Sequence, residues 1–196
     1  GGDATIQHNL ITRNSATDDG GGLYDCDGAV QNNIITDNSA RDDGGGLRSC
    51  HGAIENNSIC GNSAGGSSGG LHYCDGAIRN CIVWLNVATP GSELSGCSEP
   101  TYCCIENWTG PSEGNTAYCP YLVDPHQGDY HLLSWSPCID AGDLSSDFSN
   151  EPQPNGGRVN MGAYGNTPEA ACASQDADED LLPDDWEMHF FGDLAQ

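Results

Sequence analysis

The chain has 196 residues, with 5 Lys+Arg against 29 Asp+Glu, a formal net charge of -24 and 36% hydrophobic residues. That length holds one modest core, or one core plus a short appended module, and leaves no room for two large domains. The charge repels nucleic acid and anionic lipid surfaces, so it argues against both as partners and toward cation binding or a soluble acidic exterior.

The five cations are all arginines: Arg13, Arg41, Arg48, Arg79 and Arg158. Low aromatic content with acidity can signal disorder, but 27 glycines among spaced aliphatic residues point to a turn-dense β architecture. Eleven cysteines without zinc-type CxxC pairs fit an oxidising compartment, and an odd count leaves at least one thiol unpaired or paired outside the chain. No signal peptide and no apolar run of transmembrane length occurs, so membrane insertion is not expected. Opening at Gly1-Gly2 in the middle of a repeat is read as the mark of a fragment.

From the N-terminus the chain repeats itself. A shift of 24 residues lays GGGLYDCDGAVQNNIITDNSARDD onto GGGLRSCHGAIENNSICGNSAGGS and then onto SGGLHYCDGAIRNCIVWLNVATPG. The opening GGDATIQHNLITRNSATDD fits the same frame with its first quarter missing. Read down the columns, Leu23, Leu47 and Leu71 form one aliphatic series. Ile6, Val30, Ile54 and Ile78 form a second, and Ile11, Ile35, Ile59 and Val83 a third. Three apolar columns per coil imply three core-facing strands, and the Gly-Gly, Asp-Gly and Asn-Ser clusters between them are turn chemistry. Coils stacked about 4.8 Å apart give each short strand a partner and make one continuous core. The expected fold is all-β, a right-handed parallel β-helix with three strands per coil. An α-solenoid is excluded, because no run keeps period 3.6 over a helix length.

Asn14, Asn38, Asn62 and Asn86 form an asparagine column beside Ala16, Ala40, Ala64 and Ala88. Stacked amides donate to one coil and accept from the next, a stabilising device for buried turns. Cys26, Cys50 and Cys74 form a cysteine column in which adjacent coils lie within the Cα range of a disulfide; a row of buried thiols is the other outcome. Cys81-Ile and Cys104-Ile recur in the same context, which aligns Cys81 with Cys104. Cys97, Cys103 and Cys119 fall in a loop-rich region where a small core gains most from cross-links.

After the coils, GNTAYCPYLVDPHQGDYHLLSWSPCIDAG is followed by GGRVNMGAYG. With the repeats, these motifs make residues 1–165 resemble the right-handed parallel β-helix repeat proteins of the pectate-lyase-like superfamily, in a form similar to bacterial surface proteins. The resemblance implies the fold and a cell-surface or secreted setting, with an irregular closing region from about residue 97. The family spans lyases, adhesins and tail spikes, so it implies no single activity.

Residues 166–175 read as a linker into an acidic module at 176–196. Asp176, Asp178, Asp180, Asp184 and Glu187 occupy positions 1, 3, 5, 9 and 12 of a twelve-residue loop, with Leu182 at the position that supplies a backbone carbonyl. That is the ligand spacing of an EF-hand-type Ca2+ loop, although Leu181 replaces the turn glycine at position 6. The helical pattern starting at Trp186 makes this stretch similar to dockerin or thrombospondin type 3 calcium repeats. A solvated acidic linker is the plainer alternative.

A second acidic feature stacks Asp18-Asp19 one coil from Asp42-Asp43. Four close carboxylates repel unless a cation, protonation or solvent relieves them, and a divalent ion between coils would do so. The same residues are also ordinary turn formers in a DDGGG context. Arg41 and Arg48 flank the second pair, where a lyase of this superfamily would need a base, but both are also ordinary outward-facing ion-pair positions. The six histidines share no column and are read as non-catalytic. Asn56-Asn-Ser58 and Asn107-Trp-Thr109 match the N-glycosylation pattern, with little weight in a chain of bacterial character.

These features favour a non-catalytic, calcium-stabilised structural or adhesive protein, extracellular or at the cell surface, able to associate end to end as a homo-oligomer or filament or to meet a glycan or cell-surface ligand. The competing readings are a calcium-dependent polysaccharide lyase and a carbohydrate-binding module of a larger enzyme.

Overall fold

The computed structural model describes residues 2–89, 91, 93–175, 182 and 184–192. The first coil contains β1 (Ile6–Gln7), β2 (Leu10–Thr12), β3 (Ser15–Ala16) and β4 (Leu23–Tyr24), and the second β5 (Val30–Gln31), β6 (Ile34–Thr36), β7 (Ser39–Ala40) and β8 (Leu47–Arg48). The third contains β9 (Ile54–Glu55), β10 (Ser58–Cys60), β11 (Ser63–Ala64) and β12 (Leu71–His72). The fourth contains β13 (Ile78–Arg79), β14 (Ile82–Trp84) and β15 (Leu94–Ser95), and β16 (Cys104–Ile105) begins a further turn. Pairing is parallel throughout these coils, in the sheets β1-β5-β9-β13, β16-β14-β10-β6-β2, β11-β7-β3 and β15-β12-β8-β4. The chain is an all-β parallel solenoid.

The three aliphatic columns face inward as the repeat requires. Ile54 pairs with Ile78, Ile59 with Val83 and Leu47 with Leu71. Val30, Ile35, Leu47, Ile54, Ile59, Leu71 and Val83 are each 0% exposed. The Ser-Ala segments add a short fourth ladder between two of the three aliphatic strands.

Three corners turn the chain by one shared device. A residue with positive φ ends the strand, and the next residue points its side chain inward along the stack. Asn32 (φ 51), Asp37 (φ 54) and Ser49 (φ 51) take that left-handed geometry in the second coil, and Asn and Asp adopt it more readily than most residues. In the asparagine column, Asn38 N and Nδ2 donate to Asn62 Oδ1 at 3.0 and 2.9 Å, and Asn62 Nδ2 donates to Ile35 O at 2.9 Å. The column ends on Glu93, whose carboxylate accepts from Asn86 N and Nδ2 at 3.1 and 2.6 Å. The polar groups of this buried corner thereby find their partners within the protein.

A second ladder runs along the neighbouring corner. Asn9 N donates to Asn33 Oδ1, Asn33 N to Asn57 Oδ1, Asn57 N to Cys81 Sγ, Cys81 N to Cys103 Sγ and Cys103 N to Asn115 Oδ1. Two thiols thus continue an amide ladder as weak acceptors. The aligned partner of Cys81 is therefore Cys103 and not Cys104, which lies opposite Ile82. The physical reason is the core: this register brings Ile105 onto Val83 and keeps the aliphatic column unbroken. The third corner carries the cysteine column, with Cys97 as a fourth member whose Sγ accepts from Cys74 N at 3.4 Å.

Beyond β16 the chain stops coiling. β17 (Leu122–Asp124) and β18 (Asp129–Leu132) form an antiparallel pair joined by the one-turn 3-10 helix Pro125–Gln127. Residues 133–171 then return across the outer face of the β2-β6-β10-β14-β16 sheet. There Cys60, Ile82, Cys104, Tyr130, Leu132, Cys138, Ile139 and Met161 build a second core outside the solenoid. Thr36 Oγ1 and Tyr130 Oη share a 2.5 Å hydrogen bond, and Ser58 Oγ accepts from Ala163 N at 3.1 Å. The only other element among the described residues is the helix α1 (Asp184–Phe190).

Candidate functional site

Three of the loop residues that the calcium spacing singles out, Asp176, Asp178 and Asp180, lie outside the described residues. The remaining three are placed. Leu182 is half-buried, Asp184 opens α1 with its N–H donating to Gln175 O at 2.7 Å, and Glu187 is fully buried. The helix sits against residues 134–135: Ser134 Oγ donates to Asp185 Oδ2 at 2.6 Å, and Trp135 packs on His189 with ring centroids 5.4 Å apart. A carboxylate buried at the twelfth loop position, on a helix docked to the body, has the donor chemistry that a hard divalent cation takes.

The stacked acidic turn is engaged by the protein itself. Asp19 Oδ1 accepts from Asp43 N at 3.0 Å while Oδ2 pairs with Arg48 at 2.9 Å. Asp43 repeats the pattern one coil on, accepting from Ser67 N at 2.6 Å and facing His72 Nδ1 at 3.4 Å. Asp18 and Asp42 are exposed. The turn-forming role is therefore visible at Asp19 and Asp43, and Arg48 supplies Asp19 with a counter-charge. Among the described residues, no three His, Cys, Asp or Glu side chains converge into a metal cage.

A site not foreseen from the repeat is the trough where the closing region lies along the coils. One part, about 560 Å³, is lined by His8, Asn9, Leu10, Asn32, Tyr164 and Asn166 among others. The adjoining part, about 260 Å³, shares Asn32 and Asn166 and adds Gln31, Glu55, Arg79 and Asp147. Tyr164 is stacked on His131 at 3.7 Å with an interplanar angle of 12°. On the coil side, Arg79 Nη2 and Nε bind Glu55 Oε1 at 2.6 Å, Gln31 Nε2 donates to Glu55 Oε2 at 3.3 Å, and Asp143 lies 3.7 Å from Arg79. The outward column Gln7, Gln31, Glu55 and Arg79 was readable from the 24-residue frame. The other wall, more than 60 residues away in sequence, was not.

Two further carboxyl groups sit in the closing region. Burial raises Asp140 above the usual range, offset by Arg158, and burial likewise raises Glu151 against hydrogen bonds from the Asn160 and Asn166 N–H groups. Glu151 Oε1 accepts both N–H groups at 2.8 Å, so it ties two loop segments together. Asn56, one of the glycosylation candidates, donates to Asn160 O at 3.1 Å and serves the same seam. His51 is exposed and faces Asp75.

No protein-family model, curated protein or solved structure matches this chain.

Proposed function

We propose that this chain is a non-catalytic structural or adhesive element of an extracellular or cell-surface protein, a β-solenoid able to associate end to end and stabilised by Ca2+ near its C-terminus. The observation that carries the reading is the stack itself: the coils pair through parallel ladders and bury continuous aliphatic columns, with Val30, Ile35, Leu47, Ile54, Ile59, Leu71 and Val83 each 0% exposed. A stack of in-register parallel strands is the kind of surface that pairs end to end with a second copy in a head-to-tail contact. Sedimentation of the 196-residue chain over a hundredfold range of concentration, with and without chelator, tests that association. Concentration-dependent association supports stacking on a second copy. A monomer at every concentration removes the filament.

In this reading Asp176, Asp178, Asp180, Asp184 and Glu187 hold Ca2+ through carboxylates and Leu182 through its carbonyl. The ion would supply electrostatic cross-linking between the acidic loop and α1. The burial of Glu187 and the docking of α1 on Ser134 and Trp135 support it. Calorimetric titration with calcium against the Glu187→Gln variant tests the site: binding lost in the variant supports it, and equal binding by both chains contradicts it. The Asp18, Asp19, Asp42 and Asp43 turn is the weaker metal candidate, because Asp19 and Asp43 already have partners.

The trough favours one alternative, recognition of a glycan. Its amides, the Glu55–Arg79 pair and the Tyr164 ring offer the mixture of hydrogen-bonding groups and an apolar face that saccharides require. Glycan-array binding without turnover supports a binding module. Release of unsaturated products from uronic-acid polymers in calcium would instead establish a lyase.

A further inference from the structure

The cysteine column is the one repeated feature that the structural reading leaves without a purpose. Cys26, Cys50, Cys74 and Cys97 follow the left-handed residues Asp25, Ser49, Tyr73 and Gly96, so all four point inward at the same corner of successive coils. In the structure they are free thiols. At this corner Cys74 N donates to Cys97 Sγ at 3.4 Å, and the thiols of Cys26, Cys50 and Cys74 donate to Tyr24 O, Arg48 O and His72 O at 3.7, 3.6 and 3.6 Å. The coils around them are tied in the same order, His51 N to Cys26 O at 2.7 Å and Ser98 N to Cys74 O at 2.9 Å. Parallel coils about 4.8 Å apart place neighbouring Cα atoms inside the range that a disulfide spans.

Exposure along the row is uneven in an informative way. Cys50 and Cys74 are 0% exposed, while Cys26 and Cys97, the two ends, are partly open. We propose that this row is a redox site that closes into two rungs, Cys26–Cys50 and Cys74–Cys97, by exchange with a small-molecule disulfide of the glutathione type. An end thiolate attacks the reagent, forming a mixed disulfide and releasing one reagent thiolate. The buried neighbour then attacks the protein sulfur of that mixed disulfide and releases the second. Each rung thus oxidises two protein thiols, reduces one reagent disulfide and passes two protons to the reagent thiolates or solvent. Starting from both ends leaves no thiol stranded, whereas a central Cys50–Cys74 rung would strand both outer ones.

The two rungs would staple coil one to coil two and coil three to coil four, at the corner where the ladder is made of thiols in place of amides. The test is to incubate the folded, reduced chain with oxidised glutathione, quench in acid, alkylate, and map disulfides without reduction. Cleavage after Arg and Glu separates the four cysteines, since cuts after Arg41, Arg48, Glu55, Arg79 and Glu93 fall between them. The expected result is the two rungs together, with a higher melting temperature for the oxidised chain. In Cys50→Ser, Cys26 should remain as a glutathione adduct while the Cys74–Cys97 rung still closes. Alkylation of all four positions, persistent adducts at Cys26 and Cys97 in the parent chain, or a Cys50–Cys74 rung would each overturn the proposal, and the parent-chain map decides even if the variant does not fold.

Discussion

The coils and the closing region are stabilised on different principles. In the coils each contact is repeated: Asn14, Asn38, Asn62 and Asn86 make the same bonds in turn, and an isoleucine in one coil rests on an aliphatic residue in the next. The closing region depends on contacts made once, such as Thr36 with Tyr130, Asn56 with Asn160 O, and Ser58 with Ala163 N. A repeated contact tolerates loss at an end and fails in the middle, because an interior rung serves two neighbours. A contact made once fails locally.

The largest effect is expected at an interior rung. Asn62→Leu removes the acceptor for Asn38 N and Nδ2 and the donor to Ile35 O, all in a buried corner. Several orphaned polar groups at about 1–3 kcal/mol each suggest a loss of about 4 kcal/mol in denaturant unfolding. Asn115→Ala, at the partly exposed end of the other ladder, should cost about 1 kcal/mol; equal losses at the two positions would break the distinction between interior and end.

The end of the asparagine column should also respond to pH. Burial, with Glu106 beside it, pushes Glu93 from an ordinary 4.5 up to about 8 despite the hydrogen bonds from Asn86. Its folded-state value is raised, so the folded chain holds a proton that the unfolded chain has released. This contribution to stability is complete below about pH 4.5 and is lost as pH rises through about 8, on the order of 5 kcal/mol. Unfolding curves across that window should flatten in Glu93→Gln. A variant that keeps the parent's slope would place the titration elsewhere.

Met161→Ala, in the second core, is expected to cost about 2 kcal/mol, at the low end for a buried truncation because surrounding loops can settle into the space. It should leave the denaturation of the coils intact. The smallest effect belongs to Arg79→Ala in the trough, where a partly exposed ion pair contributes on the order of 0.5 kcal/mol. A loss several times larger there would mean that the trough wall supports the coils.

The same contrast explains what could be read from the sequence. The aliphatic columns and the Asn14 to Asn86 ladder were legible because the 24-residue step holds residue type and direction together. The second ladder was hidden because its chemistry changes from Asn57 to Cys81, and the step shortens to 22 residues at Cys103. The shortened coil also misled the alignment of Cys104 with Cys81. The trough was invisible, since Asn32 and Ala163 meet across 131 residues with no period to announce it. The acidic spacing at 176–187 is visible in the sequence, whereas the burial of Glu187 comes only from the docking of α1.

Hydrogen exchange of the whole chain, followed by mass spectrometry with and without calcium, tests the contrast most directly. The account predicts that β5 to β14 exchange slowest and as one cooperative unit, that residues 133–171 exchange faster, and that calcium slows exchange around α1 and residues 134–135. Uniform protection across both regions, or a closing region that outlasts the coils, would contradict it.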